Sequence, residues 1–148
     1  MSYSPYDPFG RDRAQEAEGA EPVGRIDQLD EHGRLVVALM RGAKLAAKDS
    51  DIAKVYGQMM MVFERHARRP LMWHSPNCIC LGADEAVMVR FVRLASNGAR
   101  EDAALMAMLL IRADIASLAV SLAEQLGLLI QTAIRVDSHA MRPPGAYH

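Results

Sequence analysis

Hydrophobic residues recur at three- and four-residue steps along most of this chain, which is the spacing of one face of an α-helix. The first such stripe starts at Ile26 and reaches Ala47. No comparable run alternates between apolar and polar residues, as a half-buried strand would. The stripes predict helices over residues 27–48, 51–69, 83–96, 100–111 and 115–133.

Turn-forming and capping residues mark the boundaries between these stripes. Asp49-Ser50-Asp51 supplies a turn and places Ser50 at the N-cap of the second helix. Pro70 ends that helix, because proline disfavours helical backbone in the residue ahead of it. Asn97-Gly98 is a typical C-terminal signal for the third helix, and Arg112-Ala113-Asp114 predicts a break between the fourth helix and the fifth.

The fourth predicted helix is apolar almost all round from Ala103 to Ile111, which predicts a central position. Hydrophobic residues make up 51% of the chain but aromatic residues only 5%, and this composition favours helices over a β-sheet. Short connections imply antiparallel packing. We therefore predict an all-α fold: a compact antiparallel bundle of four to five helices over residues 25–135, with a disordered arm at residues 1–24 and a flexible tail at residues 136–148.

The charge of the chain is nearly balanced, with 17 basic and 18 acidic residues. This balance provides no general attraction to nucleic acid or to an anionic membrane. A membrane-spanning helix needs about 20 mostly apolar residues, and the apolar run from Ala103 is interrupted by Arg112 and Asp114. Residues 1–15 lack the apolar core of a secretory signal, and two cysteines are too few for a disulfide scaffold. We therefore expect a cytoplasmic protein without a membrane span or a nucleic-acid partner.

The connection between the second and third predicted helices concentrates the chemically distinctive residues, including both cysteines and the only tryptophan. His74, Cys78 and Cys80 lie within seven residues. Imidazole and thiolate groups are preferred ligands of Zn²⁺, which binds about four of them in a tetrahedron. A loop bent at Pro76 can bring three such side chains together, and His66 at the end of the second helix can supply the fourth ligand. Two acidic residues that follow are possible substitutes, Asp84 and Glu85.

The C-x-C spacing is tighter than the pairs that structural zinc sites use, so two other interpretations of this loop stay open. Cys80 lies just ahead of the third helix, where the helix dipole can lower the pKa of a thiol and make it reactive. A C-x-C pair can also form a strained and therefore labile disulfide. In the remaining interpretation the loop is a lid, whose cysteines and apolar side chains fill the end of the bundle.

The patterns together predict a small regulator or adaptor rather than an enzyme. There is no phosphate-binding glycine loop, no G-x-S-x-G and no H-E-x-x-H helix. We expect the His/Cys loop to bind a structural or sensory zinc ion, and the protein to act through contacts with other proteins. The alternatives are a thiol-based redox sensor that uses Cys78 and Cys80, and a purely structural helical homodimer without a metal. A homodimer is expected because the apolar surfaces of the last two helices exceed what one small domain covers.

Overall fold

The structure is a computed structural model that describes residues 18–140. Five long α-helices lie within this range: α1 (Glu31–Met40), α2 (Ser50–His66), α3 (Ala83–Ser96), α4 (Arg100–Met108) and α5 (Ala116–Ala140). Two short strands, β1 (Pro22–Arg25) and β2 (Cys80–Gly82), pair antiparallel. The predicted all-α fold is confirmed. The small sheet is an addition that no alternating pattern in the sequence indicated.

The core of the bundle lies around α5, which packs against α2, α3 and α4. Phe63 of α2 and Phe91 of α3 meet edge to face, with ring centroids 5.6 Å apart, and both rings are fully buried. Leu126 and Ile130 of α5 are fully buried as well. Burial stabilises the fold by about 1.5–3 kcal/mol for each large apolar side chain, so these contacts hold the helices together.

Small side chains let α3 and α5 approach each other closely. A Cβ atom on Gly127 would lie only 2.4 Å from the Cβ atom of Ser96, so a larger residue does not fit there without movement. Ala119 and Ala123, on the same face of α5, are fully buried. The close crossing therefore depends on glycine and alanine at the contact.

The first helix, α1, is shorter than the helix predicted over residues 27–48. Asp30 caps its beginning, because its side chain accepts a hydrogen bond from the Gly33 amide at 2.9 Å. Gly42 has a φ angle of +88°, a left-handed conformation that ends the helix. The apolar spacing continues beyond Gly42, but residues 43–46 form an irregular connection instead.

The other helix boundaries lie close to the turn signals, but α2 ends at His66 and α4 at Met108, each three residues before its predicted end. α2 begins at Ser50, and it is Asp49 that occupies the N-cap position. Gly98, with a φ angle of +82°, follows the end of α3. A 3₁₀ turn at Ala113–Ile115 separates α4 from α5, so the predicted break is confirmed. Residues 136–140, expected in the flexible tail, are instead the last turn of α5.

The prediction that the fourth helix is central was wrong. Ala103 and Ala107 of α4 are fully buried, but Leu105 and Leu109 are 63% and 61% exposed. The alanines of this helix face the core, Met106 and Met108 pack partly against it, and Leu105 faces solvent. The expected homodimer would cover such leucines, and it stays a prediction.

The stretch Ala113–Ala140 is long and apolar enough to cross a membrane by length and composition. However, 39% of its most apolar window is buried inside the protein. The core helices of soluble proteins pass the same test, and α5 packs against three other helices of this bundle. This stretch is therefore only weak support for a membrane span.

The strand β1 begins within the segment that we expected to be a disordered N-terminal arm. Residues 1–17 of that arm and residues 141–148 of the expected tail lie outside the described residues. Residues 22–24, which we expected in that arm, form part of this strand. The pairing places Arg25 of β1 opposite Cys80 of β2. The N-terminal part of the described chain therefore lies along the cysteine-containing connection.

Candidate thiol site

The candidate site is centred on the loop of residues 67–79, which connects α2 to β2. A turn at residues 76–77 reverses the chain before the strand begins. β1 lies alongside this loop, and the end of α1 approaches it from the other direction. Both cysteines carry free thiols and are half-buried. The site is thus assembled from segments that are distant in the sequence.

His74 and Cys78 form the central contact of the site. The Nδ1 atom of His74 lies 3.4 Å from the Sγ atom of Cys78, and the Nε2 atom lies 2.7 Å from the carbonyl oxygen of Ala20. Because a carbonyl oxygen only accepts hydrogen bonds, Nε2 carries a hydrogen. Nδ1 therefore accepts a hydrogen bond from the thiol when it is unprotonated, and it donates a hydrogen bond to the thiolate when it is protonated. Ala20 orients the ring as the third group of a catalytic triad orients the base.

This contact favours the ionised form of the thiol. The hydrogen bond from His74 lowers the pKa of Cys78, and the backbone amide of Cys80 acts in the same direction. Conversely, the hydrogen bond to Cys78 raises the pKa of His74, and the Ala20 carbonyl adds to that effect. The two changes have a shared cause, because the imidazolium and the thiolate stabilise each other. The Cys78 thiol is therefore ionised at a lower pH than an ordinary exposed thiol.

Arg41, the residue directly after α1, holds the backbone of both cysteines. Its guanidinium group donates hydrogen bonds to the carbonyl oxygens of Cys78 and Cys80, each at 2.7 Å. It also forms two hydrogen bonds with the Glu85 carboxylate, at 2.6 and 2.9 Å. The side chains of Arg41 and Glu85 are 5% and 0% exposed. Each of these buried charges therefore depends on the other.

Glu85 connects this ion pair to the beginning of α3. Its carboxylate accepts a hydrogen bond from the Gly82 amide at 2.9 Å, in the first turn of the helix. Burial opposes ionisation of Glu85, but the hydrogen bonds from Arg41 and Gly82 outweigh it and lower its pKa. A Cβ atom on Gly82 would lie 2.9 Å from the Cδ2 atom of His74, so glycine lets the imidazole ring lie against the strand. The histidine, the cysteine backbone and the helix start thus form one connected arrangement.

A second ion pair fixes the beginning of the loop. Arg69 forms two hydrogen bonds of 2.7 Å with the carboxylate of Asp84, which is almost fully buried. Asp84 also accepts a hydrogen bond from the Met72 amide at 2.9 Å. A Cβ atom on Gly19 would lie 2.3 Å from a carboxylate oxygen of Asp84. The absence of a side chain at Gly19 therefore lets the N-terminal segment pass directly over this ion pair.

The structure brings together only some of the predicted zinc ligands. His74 and Cys78 are in contact, and the thiol of Cys80 is near enough to affect the pKa of Cys78. His66 is the last residue of α2, and its carbonyl oxygen accepts a hydrogen bond from the Arg112 amide. Within residues 18–140, no three His, Cys, Asp or Glu side chains are arranged so that they could hold a metal ion.

The two predicted substitute ligands have arginine partners instead. Asp84 is paired with Arg69 and Glu85 with Arg41, and both acids lie in the first turn of α3. Neither carboxylate is available to a metal without loss of a buried ion pair. Their favourable position at a helix N-terminus, which the sequence also suggested, is observed.

Sequence reasoning missed the partners that shape the site, namely Arg41, Arg69 and the Ala20 carbonyl. Arg41 is separated from Glu85 by 44 positions, and Ala20 from His74 by 54. The sequence contained one signal, the neighbouring acidic residues Asp84 and Glu85, because acidic side chains require basic partners when they are buried. Several arginines could have met that need, and no local pattern distinguished Arg41 or Arg69 among them.

The arrangement is suited to thiol chemistry. The imidazole can hold or release a proton next to the Cys78 sulfur, and Cys80 offers a second thiol two residues away. The buried guanidinium of Arg41 contacts the backbone rather than the sulfur atoms, so it positions the cysteines.

Comparisons with protein-family models, with curated proteins and with solved structures find no match for this chain.

Proposed function

We propose that this protein is a thiol-based redox sensor in which Cys78 is the reactive thiol and Cys80 the resolving thiol. The carrying observation is the 3.4 Å contact between His74 Nδ1 and Cys78 Sγ, with the other ring nitrogen held by the Ala20 carbonyl. This contact favours ionisation of the Cys78 thiol. Cys78 is only half-buried, so a small oxidant can reach its sulfur atom. The neighbouring thiol can capture the oxidised sulfur before further oxidation.

The proposed oxidant is a hydroperoxide. The Cys78 thiolate attacks one peroxide oxygen, an S–O bond forms and the O–O bond breaks. The leaving oxygen takes the proton from His74 Nδ1, which gives a sulfenic acid on Cys78 and an alcohol or water. The sulfur of Cys80 then attacks the sulfenic sulfur, the S–S bond forms, and the departing hydroxide takes the Cys80 proton as water. In total, two thiols lose two electrons and two protons, and the hydroperoxide is reduced.

The position of the two cysteines supports sensing, because a change in their backbone reaches several elements of the fold. Their carbonyl oxygens bind Arg41 at the end of α1. Cys80 belongs to β2, which pairs with β1 and leads directly into α3. A bond between the two sulfur atoms therefore affects three connected segments of the molecule.

The test is the rate at which each thiol reacts with hydrogen peroxide at pH 7. Cys80→Ser isolates Cys78, and Cys78→Ser isolates Cys80. We expect Cys78 to react faster than Cys80, and His74→Gln to slow Cys78, because the imidazole stabilises its thiolate. The matched control is His66→Gln, which removes a histidine outside the contact and should leave the rate unchanged. Equal rates for the two thiols, or an unaffected rate in His74→Gln, would contradict the proposal.

The product gives a second measurement on the wild-type chain. Treatment with hydrogen peroxide should lower the intact mass by two hydrogen atoms, and tryptic peptides should locate the new bond between Cys78 and Cys80. Accumulation of a stable sulfinic acid on Cys78 instead would mean that Cys80 does not resolve the sulfenic acid.

The same His74–Cys78 contact supports a second candidate, the zinc-binding regulator predicted from the sequence. His74, Cys78 and Cys80 would have to move together on binding to become three ligands, because they do not form such a group in residues 18–140, and the fourth ligand would come from His66 or from a second chain. Zinc binding would deprotonate the cysteines and order the loop. Elemental analysis after zinc repletion tests this candidate. Less than about a tenth of an equivalent of bound metal would contradict it, because a structural zinc site is nearly saturated under such conditions.

A further inference from the structure

The segment of residues 20–26 is held mainly by hydrogen bonds to the cysteine loop and to the residues that follow it. The Ala20 carbonyl accepts from His74, the Glu21 carbonyl accepts from the Ala83 amide at 2.9 Å, and the Ile26 amide donates to the Ile79 carbonyl at 2.9 Å. β1 pairs with β2 between these contacts. None of the β1 residues is buried, and Val23 is 57% exposed. Its attachment therefore depends on the geometry of the loop more than on apolar burial.

Arg41 determines that geometry in the reduced protein. Its planar guanidinium holds the carbonyl oxygens of Cys78 and Cys80 at the same distance, and Glu85 anchors it from the other side. A planar fork with two acceptors constrains the direction of both carbonyl groups. The chain between the two cysteines is therefore held in one shape as long as the carbonyls stay on Arg41.

A disulfide between Cys78 and Cys80 is incompatible with an extended chain. Alternate side chains of an extended chain are spaced roughly 6.6 Å apart, from a rise of about 3.3 Å per residue. The Cβ atoms of bridged cysteines are only about 3.5–4.5 Å apart. Cys80 is the first residue of β2, whereas Cys78 and Ile79 precede the strand, so a bond that draws the two Cβ atoms together displaces the backbone at Ile79 between them. That displacement moves the Ile79 carbonyl, which is the acceptor for Ile26.

We propose that formation of the Cys78–Cys80 disulfide detaches residues 20–26 from the loop, with Arg41 as the positioning residue that couples the two. This inference rests on the proposed redox function and adds its structural output. Displacement of the backbone at Ile79 withdraws the carbonyl that holds Ile26 and turns Cys80 away from Arg25 in the sheet. Loss of the Cys78 thiolate also removes the partner of His74, which holds Ala20. Reduction of the disulfide restores the hydrogen bonds of Arg41 to the two cysteine carbonyl oxygens and the pairing of β1 with β2.

The test is hydrogen exchange of single backbone amides by NMR, in the reduced chain and in the chain oxidised with hydrogen peroxide. The informative amides are those of Ile26 and Ala83, which bind the Ile79 and Glu21 carbonyls. We expect exchange to be faster by about tenfold or more in the oxidised chain, since each amide loses a backbone hydrogen bond of ordinary net strength. The Leu126 amide within α5 reports on the bundle and should not change.

Two variants separate the possible outcomes. In Cys80→Ser the same peroxide treatment oxidises Cys78 without forming a disulfide, and exchange at Ile26 should not accelerate. Arg41→Lys keeps the positive charge, but an ammonium group cannot hold the Cys78 and Cys80 carbonyl oxygens as the planar guanidinium does. Hydrogen exchange of the Ile26 amide should therefore already be faster in the reduced chain. Unchanged exchange in reduced Arg41→Lys, with α5 intact, would overturn the role of Arg41.

Mass analysis of the same samples distinguishes failure of this inference from failure of the proposed function. A disulfide that forms while exchange at Ile26 and Ala83 stays constant would overturn the detachment and leave the redox function standing. If no disulfide forms in the wild-type chain, both proposals fall. A disulfide together with faster exchange confined to the segment of residues 20–26 and its partners would support both.

Discussion

Between α2, α3 and α5 the contacts are apolar and closely packed, whereas the loop of residues 67–79 is held by hydrogen bonds and by two arginine–carboxylate pairs. In the core, Phe63, Phe91 and Leu126 are fully buried side chains without charge. Around the loop, the carboxylate of Glu85 can be fully buried in its charged form because Arg41 neutralises that charge. Apolar packing tolerates chemical change in the solvent, but a polar network responds to the loss of a single partner. The bundle is therefore held by apolar packing, and the conformation of the loop depends on a few polar contacts.

The largest expected effect is at the Arg41–Glu85 ion pair. Arg41→Ala leaves a fully buried carboxylate without its partner, which should lower the free energy of unfolding by about 3–5 kcal/mol. Urea denaturation followed by circular dichroism measures the change. The matched control is Arg25→Ala, which removes an arginine from an exposed pair with Asp27 and should have little effect. Equal stability of the two variants would show that the polar network does not hold the loop.

A change in the core should have a comparable but slightly smaller effect. Leu126→Ala opens a cavity at a fully buried position of α5, and we expect a loss of about 2–5 kcal/mol in the free energy of unfolding. Leu118→Ala is the control on the same helix, since Leu118 is 52% exposed. If both variants lose the same stability in urea denaturation, the buried face of α5 has been assigned incorrectly.

Overpacking of the α3–α5 crossing should cost less than a cavity. Gly127→Ala adds a methyl group that meets Ser96, and we expect a loss of about 1–3 kcal/mol. Gly57→Ala adds the same group within α2, where nothing lies within 4 Å, and should stabilise the protein by about 0.4–1 kcal/mol. The sign of the difference between the two melting temperatures is the measurement. A stabilising Gly127→Ala would refute the close helix approach.

The smallest expected effect is a pH dependence at His32, a buried residue of α1. Burial lowers the pKa of His32, and Arg93 adds to that effect. The unfolded chain therefore binds a proton near pH 6.5 that the folded chain does not yet bind. Stability should be fully present above that pH and should decrease as the pH falls through the lowered pKa of the folded protein.

His32→Leu isolates this contribution. The difference in unfolding free energy between wild type and variant should change by at most about 1.4 kcal/mol per pH unit, with the wild type losing stability on acidification. His74 acts in the opposite direction because its pKa is raised, but it is present in both chains and cancels. A difference that is constant between pH 5 and pH 7.5 would mean that His32 does not titrate abnormally.

Local sequence signals predicted the parts of the fold that local interactions stabilise. Gly98 lies two positions after the end of α3 and Pro70 four positions after the end of α2, because the backbone preferences of these residues act over a few positions. The all-α class follows from apolar spacing for the same reason. The local signals gave wrong predictions where the same residues were compatible with two structures. At Gly42 the stripe of apolar residues continues, but the left-handed conformation ends the helix. In α4 the stripe does not show which apolar side chains face the core, so Leu105 was misplaced.

Apolar spacing and turn residues were enough to predict a helical bundle with the cysteines and His74 between α2 and α3. They did not show which of these residues contact each other. His74 contacts Cys78 within the same loop, but its orientation depends on Ala20, and both cysteine carbonyls depend on Arg41. The physical reason is that helix formation depends on neighbours three and four positions apart, whereas burying Glu85 requires a cation that the fold supplies from 44 positions away. The loop can therefore be predicted from the sequence, whereas the contact between His74 and Cys78 is seen only in the folded chain.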